Sequence, residues 1–295
     1  MPRARRIPTF LMGADPELAL FKNGRLYSAD NIEGLDTYGQ FGRDGCGTIA
    51  ELRPAPAEEP EQLVENLRIC LAEGRQKYPA IRRCALLGGS CYAGHPIGGH
   101  IHFGIKKKFG AHIPGCLDSL LAQVVIPLES VSQALARREN YGRFGDWRTQ
   151  RWGFEYRSLS SWMTTPQIAL GVLSLAKVVA TEALMDTDSL FSNKCYALMG
   201  GISCVSKCTI ARMRRHLPSI KEAVGRCCIY PKYAKSIGFL YSLLEDRRTW
   251  FTSTSLVEEW GVAHVRGGAP PPQPESTMLR PQTLEALLLG RVNIL

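Results

Sequence analysis

The sequence predicts an α+β fold in which one face of an antiparallel sheet forms an active site and helices pack against the other face. Up to about residue 164, short apolar segments alternate with Gly, Asp and Asn turns, which is typical of antiparallel strands. Residues 165–250 instead repeat apolar side chains at helical spacing. Several strand segments also carry polar residues at every second position, which places those side chains on one face.

The elements follow from these two periodicities. We expect strands at residues 10–22, 25–29, 48–54, 85–88, 99–105 and 153–159. Asn23-Gly24 lies between the first two segments and predicts a tight hairpin. We expect helices at residues 60–77, 115–138, 165–185, 207–216, 218–227 and 233–246.

The domain organisation is expected to be simple. Residues 1–266 are predicted to form a single catalytic domain, which is sheet-rich to about residue 164 and helical over residues 165–250. The sequence GGAPPPQP at residues 267–274 cannot continue a helix or a strand. Residues 267–295 are therefore predicted to be a proline-rich linker followed by a short C-terminal helix.

The N-terminal segment, the most apolar segment and the cysteines indicate where in the cell we expect the protein. No apolar stretch of signal-peptide length follows the basic N-terminus, so we expect a cytoplasmic protein. The most apolar run is interrupted by Lys177 and Glu182 and predicts a buried helix, with no membrane partner. The ten cysteines are expected to be reduced thiols, because a chain of this size without an export signal seldom carries disulfides. Their spacing also fits a zinc site poorly.

The net charge of +9 favours anionic partners. Phosphorylated small molecules and acidic substrates satisfy this charge as well as nucleic acid does. The basic clusters are short and dispersed, and no nucleic-acid-binding motif accompanies them. We therefore do not expect nucleic acid to be a partner, although a basic nucleic-acid-binding structural protein stays an alternative.

The most informative feature is a set of polar pairs at positions i and i+2 of four predicted strands. The pairs are Asp15/Glu17, Glu51/Arg53, His100/His102 and Glu155/Arg157. Each pair points to one side of its strand, and the apolar residues between point to the other. A solvated sheet face can also alternate in this way, but carboxylates, imidazoles and guanidiniums together are typical of metal and phosphate chemistry.

Arginines are concentrated just before and within the last of these strands. They are Arg143, Arg148, Arg151 and Arg157. Guanidinium groups bind phosphate and carboxylate oxygens through two parallel hydrogen bonds and keep their charge. Beside carboxylates that hold Mg²⁺, such arginines could stabilise a phosphoryl transfer. Arg143 and Arg151 are the two most expected to serve only as neutralising charges.

Two other kinds of enzyme fit some of the same residues. A metal-dependent amidase or hydrolase could use His100, His102 and a carboxylate without ATP. A catalytic cysteine would need Cys46 or Cys91 as the nucleophile, but the local sequence shows no activated thiol.

Four short motifs resemble those of a known family. They are GADPE at residues 13–17, ELRP at 51–54, GGHIHFG at 98–104 and GFEYRSLSSW at 153–162. In sequence and order they resemble the phage-encoded carboxylate–amine (COOH–NH2) ligases of the glutamine synthetase and glutamate–cysteine ligase superfamily. The resemblance implies an ATP-dependent ligase that forms an amide bond through an acyl phosphate. A phage-encoded member of this family would lie in the cytoplasm of its host.

The resemblance also implies roles for individual residues. Divalent ions, Mg²⁺ or Mn²⁺, would be held by Asp15, Glu17, Glu51, His100 and Glu155. ATP would be bound by His102, Arg148, Arg151 and Arg157, and the catalytic residues would be Arg148, Glu155 and Arg157. Asp15 is shorter than the glutamate of glutamine synthetase, and Asp44 could supply a ligand that the second strand lacks. The substrates would be small-molecule or peptide carboxylates and amines, and a homo-oligomer is left open.

Overall fold

The sheet is built around one long strand that pairs with four others. The computed structural model describes residues 6–105, 112–187, 189–250 and 254–262. The strands in these ranges are β1 (Met12–Lys22), β2 (Arg25–Leu26), β3 (Phe41–Arg43), β4 (Ala50–Leu52), β5 (Ala85–Leu87), β6 (Cys91–Tyr92), β7 (His95–Pro96), β8 (Gly99–Phe103), β9 (Trp147–Gln150) and β10 (Gly153–Tyr156).

All the strand pairs in the described ranges are antiparallel. The main sheet has the order β3-β4-β1-β8-β10-β9, and β2 and β5 also pair with β1. The N-terminal part of β1 pairs with β8, its centre with β4 and its C-terminal part with β5 and β2. The strands that carry the four polar motifs are therefore neighbours.

The hairpin predicted at Asn23-Gly24 is present. Asn23 has φ 52° and Gly24 has φ 74°, the left-handed conformations that a tight two-residue turn between twisted strands requires. Lys22 and Arg25 pair directly across it. The second strand is shorter than predicted, because a 3₁₀ turn begins at Ala29.

The helices described are α1 (Pro60–Lys77), α2 (His112–Leu117), α3 (Gln123–Val125), α4 (Val131–Asn140), α5 (Pro166–Met185), α6 (Leu190–Met199), α7 (Lys207–Gly225), α8 (Tyr230–Glu245) and α9 (Leu256–Glu259). Leu63, Leu67 and Leu71 form the buried stripe of α1. Lys177 of α5 donates to the carbonyl of Phe10 at 3.0 Å, which ties this central helix to the chain just before β1.

The two faces of β1 lie in different surroundings. Leu18 and Leu20 belong to the main apolar core that the helices share. On the opposite face, Ala19 and Phe21 join a small separate cluster that includes Leu87. This cluster covers the C-terminal half of the second face, so only the N-terminal half of β1 is left for polar residues. The predicted α+β architecture is confirmed.

Two helix predictions were wrong. The segment 115–138 is not one helix, because π-helical residues Asp118–Ala122 and a 3₁₀ turn at Ile126–Leu128 interrupt it. Pro127 removes a backbone donor there. Conversely, the two helices predicted at 207–216 and 218–227 are one helix, α7, which contains Pro218. Leu217 and Ile220 are both buried, so apolar packing continues past the proline.

The sequence analysis did not predict α6, α9, β3, β6, β7 or β9. In the described part of the chain, α5 is the one helix long and apolar enough to cross a membrane, but most of it is buried in the protein core. The proline-rich linker and C-terminal helix predicted for residues 267–295 lie outside the described residues, and the domain boundaries stay a prediction.

Candidate active site

The strand register brings the polar residues together on one face. The directly opposed residues are Asp15 with His100, Glu17 with Glu51, Glu155 with His102 and Glu155 with Arg148. Because side chains two residues apart on a strand point the same way, the acidic and histidine pairs project from this single face. All of these residues except Arg148 are buried or half-buried.

Four side chains converge most closely. Asp15 Oδ1 lies 3.1 Å from His100 Nδ1, and Asp15 Oδ2 lies 3.1 Å from His102 Nε2. Glu155 Oε1 lies 3.5 Å from His100 Nδ1. Ligand atoms of Asp15, His102 and Glu155 all lie within 4.8 Å of one another. We call Asp15, His100, His102 and Glu155 the metal cluster.

The facing atoms of the metal cluster make close charge contacts with one another but no hydrogen bonds of normal geometry. Among the described residues, no hydrogen bond of normal geometry reaches Asp15 Oδ1, His100 Nδ1, His102 Nε2 or Glu155 Oε1, although all four atoms are buried. Buried polar atoms are nearly always paired in folded proteins. Carboxylate oxygens and imidazole nitrogens that converge without well-formed hydrogen bonds therefore fit a divalent cation.

Charge interactions within the metal cluster are strong. Burial alone would raise the pKa of Asp15, but the adjacent imidazoles of His100 and His102 bring this pKa well below its usual value. Burial alone would lower the pKa of His100, but the carboxylates of Asp15, Glu17 and Glu155 raise it. Asp15 is therefore an anion at neutral pH, which is the form that binds a metal ion.

Glu17 and Glu51 form a second acidic group beside the metal cluster. Glu17 Oε2 accepts a hydrogen bond from the Gly98 backbone N–H at 2.7 Å, and Glu51 pairs with Arg53. Burial raises the pKa of both glutamates, to about 9 for Glu51.

Nearby acids contribute to these two pKa shifts. The Asp15 charge raises the pKa of Glu51, and the Asp44 charge raises the pKa of both glutamates. Crowded carboxylates of this kind are stabilised by a cation. The donor set thus fits one divalent ion at the metal cluster and can accept a second at Glu17 and Glu51.

The predicted arginines occupy different positions. Arg148 Nε lies 2.5 Å from Glu155 Oε2, and Arg157 Nε lies 3.4 Å from Glu155 Oε1. Both guanidiniums therefore border the metal cluster. Arg151 is exposed in the turn between β9 and β10, and no contact with another described residue joins it to the cluster. Arg143 donates to the carbonyls of Arg138 and Glu139 at the end of α4.

The sequence analysis missed three residues at the site. Tyr141 Oη lies 2.6 Å from His100 Nε2, and Gln150 Nε2 donates to Glu155 Oε2 at 3.0 Å. The Trp152 ring packs against the His102 ring at a centroid distance of 4.9 Å. Gln150 and Arg148 are two residues apart on β9, so the alternation used for the other strands could have identified Gln150. Tyr141 follows a helix, and no periodicity marks it.

A cysteine nucleophile is not supported by the geometry. Cys46 Sγ lies 2.9 Å from Asp44 Oδ2, and burial together with this carboxylate raises the Cys46 pKa to about 11. Burial also raises the pKa of Cys91. Both thiols are therefore protonated at neutral pH, whereas a nucleophilic cysteine needs a thiolate. All ten cysteines are free.

Comparisons with known proteins gave a family and several remote structural similarities, two of which are given below. No curated protein matched the sequence. A bifunctional glutathione synthetase from Pasteurella multocida has 9% identity and a TM-score of 0.45, with 86% of this chain and 48% of that chain covered. The ligase PafA, solved in complex with the prokaryotic ubiquitin-like protein Pup, has 9% identity and a TM-score of 0.46. That alignment covers 82% of this chain and 66% of the solved chain.

This chain thus spans only about half of the glutathione synthetase chain and about two thirds of the PafA chain. The family match runs from β1 to the end of the described residues and includes every strand and helix defined above. It covers residues 12–262. The chain belongs to the phage phiEco32-like COOH.NH2 ligase-type 2 family of carboxylate–amine ligases.

Proposed function

We propose that this protein joins a carboxylate to an amine in an ATP-dependent reaction that passes through an acyl phosphate. The observation that carries the proposal is the metal cluster. Its four buried ligand atoms make no hydrogen bond of normal geometry within the described residues and lie beside two arginines. Divalent metal next to guanidinium groups is the combination that phosphoryl transfer requires. A metal-dependent amidase would not need Arg148 and Arg157 at this position.

The reaction has two steps whose atoms balance. An oxygen of the substrate carboxylate attacks the γ-phosphorus of ATP, and the bond from that phosphorus to the ADP oxygen breaks. The amine nitrogen then attacks the acyl carbon, the bond from that carbon to the phosphate oxygen breaks, and the nitrogen loses a proton. Activation is needed because a free carboxylate has no adequate leaving group.

The protein residues have distinct roles in this proposal. Asp15, His100, His102 and Glu155 would hold a divalent ion, Mg²⁺ or Mn²⁺, with Glu17 and Glu51 available for a second. The bound metal would neutralise charge on the phosphates of ATP. Arg148 and Arg157 would contact the oxygens of the transferred phosphoryl group, because guanidinium groups bind such oxygens in pairs.

Trp152 would limit access of water to His102, on which its ring rests. The acceptor amine is proposed to be an amino acid, a polyamine or a peptide, and the carboxylate to belong to a small molecule or a peptide.

A phosphate-release screen tests the proposal. The purified protein is incubated with ATP, Mg²⁺ and pairs of carboxylates and amines, and the products are analysed by mass spectrometry. We expect phosphate release that depends on both substrates, together with a product whose mass equals their sum minus water. A matched pair of variants controls the result, since Glu155→Gln should abolish release and Glu65→Gln should not. The Glu65 side chain is half-exposed on α1, where it pairs with Arg68, whereas the metal cluster lies on strands of the sheet.

Two results would contradict the proposal. One is amide hydrolysis without ATP consumption, which would favour the metal-dependent amidase. The other is equal activity of Glu155→Gln and the wild type.

A further inference from the structure

A tyrosine hydroxyl joins the metal cluster to an arginine. Tyr141 Oη lies 2.6 Å from His100 Nε2. The same oxygen accepts two hydrogen bonds from Arg157, at 2.6 Å from Nη2 and 3.1 Å from Nε. His100 uses its other ring nitrogen, Nδ1, to face Asp15 and Glu155. One hydroxyl therefore contacts a ring nitrogen of a candidate metal ligand and two guanidinium nitrogens of a candidate phosphate-binding residue.

The Tyr141 ring is held in place by a second arginine. The Arg137 and Arg157 Cζ atoms lie 5.1 Å and 5.0 Å from the centroid of the ring. The Arg137 guanidinium is fully buried and donates to the carbonyls of Ile97 and Leu159 at 2.9 Å and 2.6 Å. These carbonyls lie just before β8 and just after β10. The position of Tyr141 is thus fixed relative to β8 and β10, two of the three strands that carry the metal cluster.

The turn that follows Tyr141 also fits tightly around Arg137. Gly142 has φ 69°, and a Cβ atom at this position would overlap the Arg137 guanidinium. Only glycine can adopt this positive φ and leave room for the guanidinium without strain. The chain therefore leaves α4 in a conformation that orients Tyr141 toward His100.

We propose that Tyr141 is a positioning residue that fixes the ring orientation of His100 for metal binding and aligns Arg157 with the bound metal. A histidine that ligates a metal usually has its second ring nitrogen held by a hydrogen-bond partner, and loss of that partner lowers metal affinity about 10- to 100-fold. Tyr141 is the hydrogen-bond partner at this position. The inference rests on the proposed function, because it assumes a metal at the cluster.

Direct titration of the metal-free protein with Mn²⁺ tests the inference without any measurement of activity. Tyr141→Phe removes the hydroxyl and keeps the ring. Tyr156→Phe is the matched control, because Tyr156 Oη contacts Asp118 at 2.6 Å on the opposite face of the sheet. We expect Tyr141→Phe to weaken Mn²⁺ binding about 10-fold. Tyr156→Phe should bind Mn²⁺ as the wild type does, even if it unfolds at a lower temperature.

The outcomes separate this inference from the proposed function. Wild-type affinity for Mn²⁺ in Tyr141→Phe, or an equal loss in Tyr156→Phe, would overturn the positioning role and leave the ligase proposal unaffected. A wild-type protein that binds no Mn²⁺ would overturn both. A Tyr141→Phe protein that binds Mn²⁺ weakly but keeps the thermal stability of the wild type would support the inference, because general destabilisation would then be excluded.

Discussion

Asp15 on β1 and His102 on β8 meet diagonally across the sheet. Their Oδ2 and Nε2 atoms lie 3.1 Å apart, although the residue directly opposite His102 is Gly13. The His102 ring packs closely over this glycine, since a Cβ atom there would lie 3.3 Å from His102 Nδ1. The absence of a side chain at Gly13 therefore lets His102 lean toward Asp15, while His100 approaches the other carboxylate oxygen. Two imidazoles thus share one carboxylate.

This arrangement predicts that Asp15 is essential for metal binding. Asp15→Asn keeps the shape of the side chain but removes its charge, and we expect Mn²⁺ affinity to fall at least about 10-fold. Calorimetric titration of the metal-free protein measures this change. Asp36→Asn is the control, because the exposed Asp36 carboxylate accepts only local backbone hydrogen bonds from Tyr38 and Gly39. Equal affinities in the two variants would show that the metal binds elsewhere.

Arg157 is predicted to act through its planar guanidinium and not only through its charge. Arg157→Lys retains a positive charge but cannot form paired hydrogen bonds with a phosphoryl group. We expect kcat for ATP-dependent phosphate release to fall about 100-fold. Arg143→Lys should leave kcat unchanged, because Arg143 caps α4 through backbone carbonyls. If Arg157→Lys keeps wild-type kcat, Arg157 has no role in the transfer.

Close approach of β10 to β8 depends on Gly153. This residue has φ 155°, and a Cβ atom would clash with the backbone carbonyl of Phe103. Gly153→Ala should therefore lower the free energy of unfolding by about 1–3 kcal/mol. Gly145→Ala is a matched control, because Gly145 also has positive φ, at 75°, but has open space around its Cβ position. Urea denaturation should show the smaller loss for Gly145→Ala, and the reverse order would contradict the packing argument.

A buried ion pair behind the site predicts a dependence of stability on pH. Glu129 accepts hydrogen bonds from Arg138 at 2.7 and 2.8 Å and from Ser90 at 2.7 Å. Burial alone would raise the Glu129 pKa, but Arg138 lowers it below the ordinary value of 4.5. The stabilisation by ionised Glu129 is therefore present above about pH 4.5 and is lost as pH falls through the lowered pKa.

Glu129→Gln tests this dependence. The variant leaves the Arg138 charge buried without its counter-ion, so we expect a loss of about 3–5 kcal/mol in the free energy of unfolding at neutral pH. Urea denaturation should show that the difference from wild type narrows as pH falls from about 4.5 through the lowered pKa of folded Glu129, below which wild-type Glu129 is also neutral. A difference that stays constant or widens as pH falls would contradict the assignment.

The sequence predicted the sheet face well because strand alternation is a local property. Asp15, Glu17, His100 and Glu155 each lie on a strand whose two-residue period is visible in the sequence, and the structure brings all four together. The helical spacing of apolar residues is also a local property, and the helix α1 was predicted with its observed bounds. The roles of these residues in metal and ATP binding stay predictions.

Contacts that depend on tertiary structure were not predictable in this way. Tyr141 reaches His100 from the end of a helix, and the two residues are 41 positions apart in the chain. Arg151 has the same residue type as Arg148 and lies only three positions away, yet it turns outward because the chain reverses between β9 and β10. We predicted that a helix would end before Pro218. The observed helix continues through this proline, because apolar residues on both sides of it are buried.

Isotope transfer tests the central claim most directly. A carboxylate substrate from the phosphate-release screen is labelled with ¹⁸O in its carboxylate group and incubated with the protein, ATP, Mg²⁺ and the acceptor amine in unlabelled water. Formation of an acyl phosphate predicts that one labelled oxygen passes from the carboxylate to the released phosphate. Phosphate without label would contradict the account, because ATP would then have been hydrolysed by water without activating the carboxylate.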